Sequence, residues 1–176
     1  VSLLVYFSAP ERIQAYSIWS FGSFSGVNWT QLKVMSLVIL AGVGLMALLP
    51  KGLNALLLGE DYARTMGLNV GLLRFTILLS ASVLSGAVTA FCGPIGFIGV
   101  AVPHIARNLF KTSNHKILIP AIILIGAAVS MAASLIAQLP GSQLVLPINV
   151  VTSLFGAPFV VWVVLKRKRG ATSFNV

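Results

Sequence analysis

Residues 117–138, with the sequence ILIPAIILIGAAVSMAASLIAQ, decide the fold class of this protein. They contain no Asp, Glu, Lys or Arg, and the chain stays free of these residues as far as Leu165. A second charge-free region covers residues 75–106. A helix needs about 20 mainly apolar residues to cross a bilayer, whereas the strands of a transmembrane barrel alternate apolar and polar residues. The pattern therefore predicts an all-α fold, a polytopic bundle of transmembrane helices in contact with membrane lipid.

The composition of the whole chain supports the same class. Of its 176 residues, 57% are hydrophobic and 9% are charged, against roughly 25% charged residues in soluble domains. The net charge of +9 could indicate nucleic-acid binding, but the sequence has no basic stripe with interleaved aromatic residues. Four of the twelve cations form the cluster 166–169, which is typical of the cytoplasmic flank of a membrane span. We expect no nucleic-acid partner.

Polar turns, glycines and prolines divide the chain into about five predicted spans. They cover residues 32–49, 74–91, 95–110, 117–138 and 150–165. The chain begins inside an apolar run, and we interpret residues 1–7 as the tail of a sixth span. Residues 8–30 are polar, glycine-rich and aromatic, a composition typical of the membrane–water interface.

The distribution of cations predicts the orientation of these spans. Ten of the twelve Lys and Arg residues lie in the segments 50–74, 107–116 and 166–169, which fall on one side if the spans alternate. Cytoplasmic segments of membrane proteins are enriched in Lys and Arg. We therefore expect a multi-pass protein with a cytoplasmic C-terminus, and we expect residues 8–30 and 139–147 to face outside.

The connection 51–73, KGLNALLLGEDYARTMGLNVGLL, is too apolar for a solvated loop. Its leucines, Tyr62 and Met66 recur at roughly helical spacing, and Gly59 and Gly67 interrupt it, so we predict two short helices with a turn between them. One interpretation is an amphipathic helix lying on the lipid surface. The other is a surface that docks into a groove of a cytoplasmic partner. The residues alone leave both open.

Polar residues within the apolar stretches offer little chemistry. His104 and Arg107 are three residues apart and share a helix face. We interpret Arg107 as an anchor at the cytoplasmic interface and His104 as a polar contact with a neighbouring helix. No Asp or Glu follows Asp61, although a proton relay or cation site in a membrane normally uses such groups. With Cys92 the single cysteine, we expect no metal site, no cofactor and no catalytic residue.

Glycines and prolines interrupt two predicted hairpins. In the first they are Gly93, Pro94, Gly96 and Pro103, and in the second Pro147, Gly156 and Pro158, with a Pro-Gly pair at 140–141. Broken helices are tolerated in lipid only where protein or a water-filled cavity satisfies the freed backbone groups. The breaks indicate either helices packed around a transport pathway or simple kinked packing.

Four segments resemble, in order and spacing, the permease subunits of FecCD-type ABC importers. They are GEDYARTMG (59–67), GPIGFIGVAVPHIARNLF (93–110), NHK (114–116) and LPINVVTSLFGAPFVVWVV (146–164). Such importers take up iron–siderophore chelates, haem and vitamin B12. The family's permeases have ten spans in one transmembrane domain, and residues 1–176 resemble the C-terminal half of that domain.

The resemblance implies partners and a location. The family permease is a homodimer in the bacterial inner membrane, with a central path lined partly by its fifth and tenth spans. Two copies of a cytoplasmic ATP-binding subunit dock beneath it, on the coupling loop that corresponds to residues 51–73. The matching residues in that loop are Gly59, Glu60, Asp61, Ala63, Arg64 and Gly67. A substrate-binding protein delivers the chelate from outside. The chain lacks a phosphate-binding G-x-x-x-x-G-K-[ST] motif, so we expect that it is not an enzyme and that the partner subunit hydrolyses the ATP.

The sequence departs from the family pattern near the predicted outer face. The family's Asp-Leu-Leu-Ala-Arg run is Ser-Leu-Ile-Ala-Gln at 134–138, so Gln138 replaces an arginine that resembles a salt-bridge partner of the binding protein. Val145 and Asn149 replace a glutamate and a glycine. We expect the partner to use other contacts. The alternatives are an ion-coupled secondary transporter, which the lack of intramembrane carboxylates disfavours, and a non-transporting membrane scaffold.

Overall fold

A computed structural model describes residues 9–138 and 146–171 of the chain. The predictions made for residues 1–7 and for residues 139–145 lie outside these residues. Within them the chain is all-helical, as predicted. The helices are α1 (Pro10–Ser20), α2 (Trp29–Ala47), α3 (Pro50–Leu56), α4 (Glu60–Thr65), α5 (Val70–Cys92), α6 (Ile98–Phe110), α7 (His115–Ala137) and α8 (Ile148–Ala171).

Three helices in the described part of the chain are long and apolar enough to cross a membrane: α2, α5 and α7. They match the predicted spans 32–49, 74–91 and 117–138, with ends that differ by at most four residues. Large apolar side chains such as Leu37, Leu40 and Leu124 remain 71% exposed. A helix that is apolar on its outer side suits a lipid environment.

The other two predicted spans differ from their helices. The span predicted at 95–110 becomes the 13-residue helix α6, about 20 Å long, against a hydrocarbon core of about 30 Å. It begins three residues late because Phe97 takes a positive φ of 64°, which interrupts a right-handed helix. The span predicted at 150–165 lies in α8, which continues through the basic cluster 166–169 instead of stopping there.

Small residues bring the long helices together. Helix α2 packs along α5, where a Cβ at Gly42 would lie 2.7 Å from the side chain of Leu84. Helix α7 packs between α6 and α8, with alanines in both contacts. The buried clusters are Ala106, Leu118 and Ala121 on one side and Ala133, Ala137, Ile148 and Val151 on the other. Close approach over small residues is the usual basis of helix association in lipid.

Helix α1 was not predicted, since residues 8–30 were interpreted only as a polar and aromatic interfacial segment. Two local signals were present. Pro10 occupies the first helical position and Glu11 lies in the first turn, and both residue types favour a helix start. These two signals are weak beside the aromatic and polar composition of the whole segment, which is typical of a membrane–water interface.

Candidate functional site: the coupling loop and the glycine junction

The segment 51–73 contains two short helices joined by a turn, as its spacing predicted. Pro50 occupies the start of α3, where its missing N–H costs no hydrogen bond. After the turn, Gly59 precedes α4, and its carbonyl accepts a hydrogen bond from Ala63 N–H at 3.1 Å. Ala63 is fully buried against Ala55 and Val70. The two helices therefore form a small packed unit at one end of the spanning helices.

Gly67 ends α4 in a Schellman motif. Its N–H donates to the Arg64 carbonyl at 2.9 Å, and Leu68 N–H donates to the Ala63 carbonyl at 3.1 Å. Gly67 has a φ of +79°, a conformation that is left-handed and that glycine adopts without steric cost. The glycine identified from the sequence thus sets the end of the second short helix.

The remaining sequence-predicted residues of this loop lie on its surface. Asp61 and Arg64 are exposed, as are Tyr62 (51%) and Met66 (59%). Glu60 forms a salt bridge with Arg74 at the start of α5. The loop therefore presents a mixed apolar and charged surface around a core centred on Ala63.

Three residues that sequence reasoning did not identify as a unit, Asn54, Asn114 and His115, form what we call the amide joint. Asn54 Nδ2 donates to Asn114 Oδ1 at 2.8 Å. His115 N–H donates to Asn54 Oδ1 at 2.8 Å, and His115 Nδ1 lies 2.8 Å from the same oxygen. The joint ties α3 to the start of α7. Asn114 carried a helix-start signal in the sequence, but nothing local pointed to a partner 60 residues away.

The predicted polar residues of α6 lie toward the same end. Arg107 is exposed. His104 is half-buried one turn earlier. Pro103 lies within the helix. Across residues 9–138 and 146–171, no group of three or more His, Cys, Asp or Glu side chains could hold a metal ion.

At the opposite end, residues 19–23, at and just after the end of α1, contact residues 89–96, at and just after the end of α5. We call this contact the glycine junction, since Gly93 lies at its centre. Gly93 has a φ of +78°, and a Cβ there would lie 2.1 Å from the Trp19 carbonyl oxygen. Trp19 Nε1–H donates to the Thr89 carbonyl at 3.1 Å, and Ser23 N–H donates to the Cys92 carbonyl at 2.8 Å. The end of α1 is thereby held against the end of α5.

Asn149 fastens α8 to the same junction. Its Nδ2 donates to the Pro94 carbonyl at 2.7 Å, and its Oδ1 accepts a hydrogen bond from Gly96 N–H at 3.0 Å. About two turns further on the same helix face, Gly156 approaches Phe97 so closely that a Cβ on Gly156 would lie 2.4 Å from Phe97 Cβ. Asn149, which replaces a glycine of the family pattern, therefore connects α8 to the glycine junction.

The other predicted residues near this end make fewer contacts. The Pro147 carbonyl accepts a hydrogen bond from Val150 N–H at 3.0 Å in the first turn of α8. Pro158 lies within α8 and is exposed. Gln138 is exposed and follows the last residue of α7.

Apolar helices that can span a bilayer, capped at one end by a packed pair of short helices, define a helical membrane protein. The family model of the FecCD transport family matches residues 1–166. The chain belongs to the FecCD transport family.

Individual relatives agree with this assignment. The chain is 40% identical over 166 residues to the vitamin B12 import system permease protein BtuC of Klebsiella pneumoniae, covering 94% of this chain and 49% of that protein. It is 34% identical over 168 residues to the hemin transport system permease protein HmuU of Yersinia pestis, covering 96% and 50%. The chain thus spans about half the length of the curated relatives it matches.

A solved structure is also similar to this chain. It is described as an inward-facing conformation of a metal-chelate type ABC transporter, with a TM-score of 0.86 and 31% sequence identity. The match covers 94% of this chain and 55% of the solved chain.

Proposed function

We propose that this chain acts in the membrane-spanning permease of an ABC importer. In this proposal the permease moves a metal chelate of the iron–siderophore, haem or cobalamin class into the cytoplasm, and a separate subunit hydrolyses the ATP. Membership of the FecCD transport family supports the proposal. The relatives named for vitamin B12 and hemin transport support the chelate class.

The observation that carries the proposal is the division of the coupling loop into a buried core and an exposed surface. Ala63 is fully buried, while Asp61, Tyr62 and Arg64 on the same short helix and Met66 directly after it are exposed. Tyr, Met and Arg are enriched at protein interfaces. A helix lying on anionic lipid would carry Lys and Arg on its polar face, and the acidic pair at 60–61 is unfavourable there. These features support docking of an ATP-binding subunit.

The proposed topology has five crossings, by α2, α5, the segment 93–110 that contains α6, α7 and α8. The end that carries the coupling loop then faces the cytoplasm, since it holds Lys51, Arg64, Arg74, Arg107, Lys111 and Lys116. The C-terminus lies on the same side in the bacterial inner membrane. Gln138 and the glycine junction face outward, toward a substrate-binding protein, and a second permease copy completes the central path.

Charge reversal within the coupling loop tests the proposal. Glu60→Arg breaks the pair with Arg74 and places a cation on the docking surface, and Gly67→Trp disrupts the end of α4. Each variant of the full permease is expected to insert in the membrane but to lose co-purification with the ATP-binding subunit and uptake of chelate. Uptake is measured in proteoliposomes with labelled cyanocobalamin, haemin and ferrichrome.

The matched control is Glu11→Arg, the same charge reversal on an exposed residue of α1 at the opposite end. It should leave co-purification with the ATP-binding subunit intact. Undiminished uptake in both Glu60→Arg and Gly67→Trp would show that residues 51–73 are not the coupling surface. Failure of the unaltered permease to bind any ATP-binding subunit would overturn the importer assignment itself.

A further inference from the structure

The coupling loop is attached to the spanning helices in two different ways. Helix α4 is held to its chain neighbour α5, through the contact of Ala63 with Val70 and the Glu60–Arg74 pair. Helix α3 is held to α7, which lies far away in the sequence, through the amide joint. Among the described residues, every side-chain hydrogen bond between the loop and α7 or its capping residue involves Asn54. The joint is therefore the polar link from this loop to α7.

The geometry of Asn54 fixes both ends of the link. Its Nδ2 donates to Asn114 and its Oδ1 accepts from His115, so both polar atoms of one planar amide are engaged. Asn54 itself is half-buried. A planar group held at two points on the partner helix fixes orientation as well as distance. A rotation or shift of α3 must then displace the start of α7 or break these bonds.

The joint also includes the cap of α7. The same Asn114 Oδ1 that accepts from Asn54 accepts from Lys116 N–H at 3.0 Å. Side chains at this position satisfy backbone donors that the first helical turn leaves free. A displacement of α3 therefore acts directly on the backbone at the start of α7, and not only on a flexible side chain.

Helix α7 reaches from the amide joint to the other end of the molecule. It has 23 residues and is therefore about 34 Å long, enough to cross the hydrocarbon core. Gln138 follows its last residue at the far end. A single helix thus connects the end proposed to meet the binding protein with the loop proposed to meet the ATP-binding subunit.

We propose that Asn54 is a positioning residue that couples α7 to the coupling loop. Through it, docking of the binding protein near Gln138 is transmitted to the surface that holds the ATP-binding subunit, and movement of that surface is transmitted back. The inference rests on the proposed importer function, and it adds the residue through which the two partners communicate.

The test measures chelate uptake per ATP hydrolysed in proteoliposomes that contain the full permease, the ATP-binding subunit and the binding protein. The probes are cyanocobalamin, haemin and ferrichrome. Asn54→Ala removes every bond of the link and should lower the ratio of uptake to hydrolysis by about fivefold or more, the lower range of coupling between two sites. Assembly of the complex should persist, because the Asn54 amide bonds Asn114 and His115 and not the exposed surface of α4. A residue that only stabilised the fold would lower uptake and hydrolysis together.

A double-mutant cycle with His115→Ala sharpens the result. This variant loses the ring contact but keeps the backbone bond to Asn54 Oδ1, so its effect should be smaller than that of Asn54→Ala. In the Asn54→Ala background it should add little, since the two residues act through one contact. The matched control is Asn28→Ala, which removes a helix cap that Asn28 makes with Gln31 at the opposite end; its ratio should be unchanged.

The outcomes separate this inference from the proposed function. An unchanged uptake-to-hydrolysis ratio in Asn54→Ala, or full additivity in the cycle, overturns the role of Asn54 and leaves the importer function standing. If the unaltered complex transports none of the three chelates, the proposed function fails first. Amide hydrogen exchange on the permease then decides whether the joint exists. Asn54→Ala must accelerate exchange at His115 N–H and leave the start of α2 unchanged, and equal exchange in both proteins overturns the joint.

Discussion

The two ends of the molecule are joined by different kinds of contact. At the glycine junction, backbone packs directly on backbone beside the side-chain bonds of Trp19 and Asn149: a Cβ on Gly93 would lie 2.1 Å from the Trp19 carbonyl, and Ser23 N–H donates to the Cys92 carbonyl. In the segment 51–73, side chains make the connections through Asn54 and through the Glu60–Arg74 pair. Backbone contacts leave no rotamer to adjust, whereas side-chain contacts can re-form in another geometry. The difference indicates a fixed end and an adjustable end.

Gly93 and Gly67 give the most direct test of this comparison, since they have nearly the same φ, +78° and +79°. A side chain at either position meets a backbone penalty of about 1–2 kcal/mol or more, and Gly93 also has a ψ of 175°, in a region essentially restricted to glycine. At Gly67 a Cβ would meet nothing within 4 Å, whereas at Gly93 it would meet the Trp19 carbonyl. Gly93→Ala should therefore destabilise the protein by about 3 kcal/mol or more, in the upper range for single substitutions.

Gly67→Ala serves as the comparison variant, because it also places a side chain at a positive φ but meets no neighbouring atom, so the difference between the two reports the combined constraint of ψ and of the backbone approach at Gly93. The measurement is thermal unfolding of the purified protein in detergent, with Gly99→Ala in α6 as a control that meets no neighbouring atom. Equal losses of stability in Gly93→Ala and Gly67→Ala would mean that the two ends are equally tolerant and that the comparison is wrong.

Asn149 tests whether the fixed end depends on side chains as well. Asn149→Ala removes the hydrogen bonds to the Pro94 carbonyl and Gly96 N–H while leaving the backbone contacts of Gly93 in place. We expect a loss of about 1–2 kcal/mol, as for two ordinary hydrogen bonds. The expected effect is thus smaller than that of Gly93→Ala, and thermal unfolding measures it.

The control for Asn149→Ala is Ser153→Ala, one turn along α8. The Ser153 hydroxyl donates only within its own helix, to the Val150 carbonyl at 3.0 Å, so its removal should cost little. A loss as large as that of Gly93→Ala would show that Asn149, rather than the backbone, holds the glycine junction together.

The same contrast explains what could be predicted from the sequence. Helices α2, α5 and α7 were predicted to within four residues because charge-free apolar runs depend only on local composition. The turn glycines of α4 were identified for the same reason, since Gly67 acts on its own helix. A helix or a turn can be predicted from the sequence when the residues that determine it lie within it or next to it in the chain.

The contacts that hold the ends together were not predictable in this way. Asn54 meets Asn114 across 60 residues, and Asn149 meets Pro94 across 55. Neither asparagine differs locally from an ordinary cap or turn residue. Phe97 takes a left-handed conformation that its residue type does not favour. Only the packing of distant helices determines these positions. The segment 51–73 could therefore be identified from the sequence, but the hydrogen bonds that connect it to α7 could not.

The Glu60–Arg74 pair gives the smallest expected effect. It tests whether this salt bridge contributes to the stability of the adjustable end, the segment 51–73. Its side chains are 39% and 59% exposed, and exposed pairs contribute at most about 1 kcal/mol, less at high salt. Glu60→Gln should therefore lower the unfolding temperature slightly at low ionic strength and not at high ionic strength.

Asp61→Asn is the matched control, since both acids lie in the first turn of α4 and share its interaction with the helix dipole. Among the described residues Asp61 has no salt-bridge partner, so the difference between the two variants isolates the pair. A difference that persists at high salt would mean that the pair is shielded from solvent ions, and that this end is more rigid than its side-chain contacts indicate.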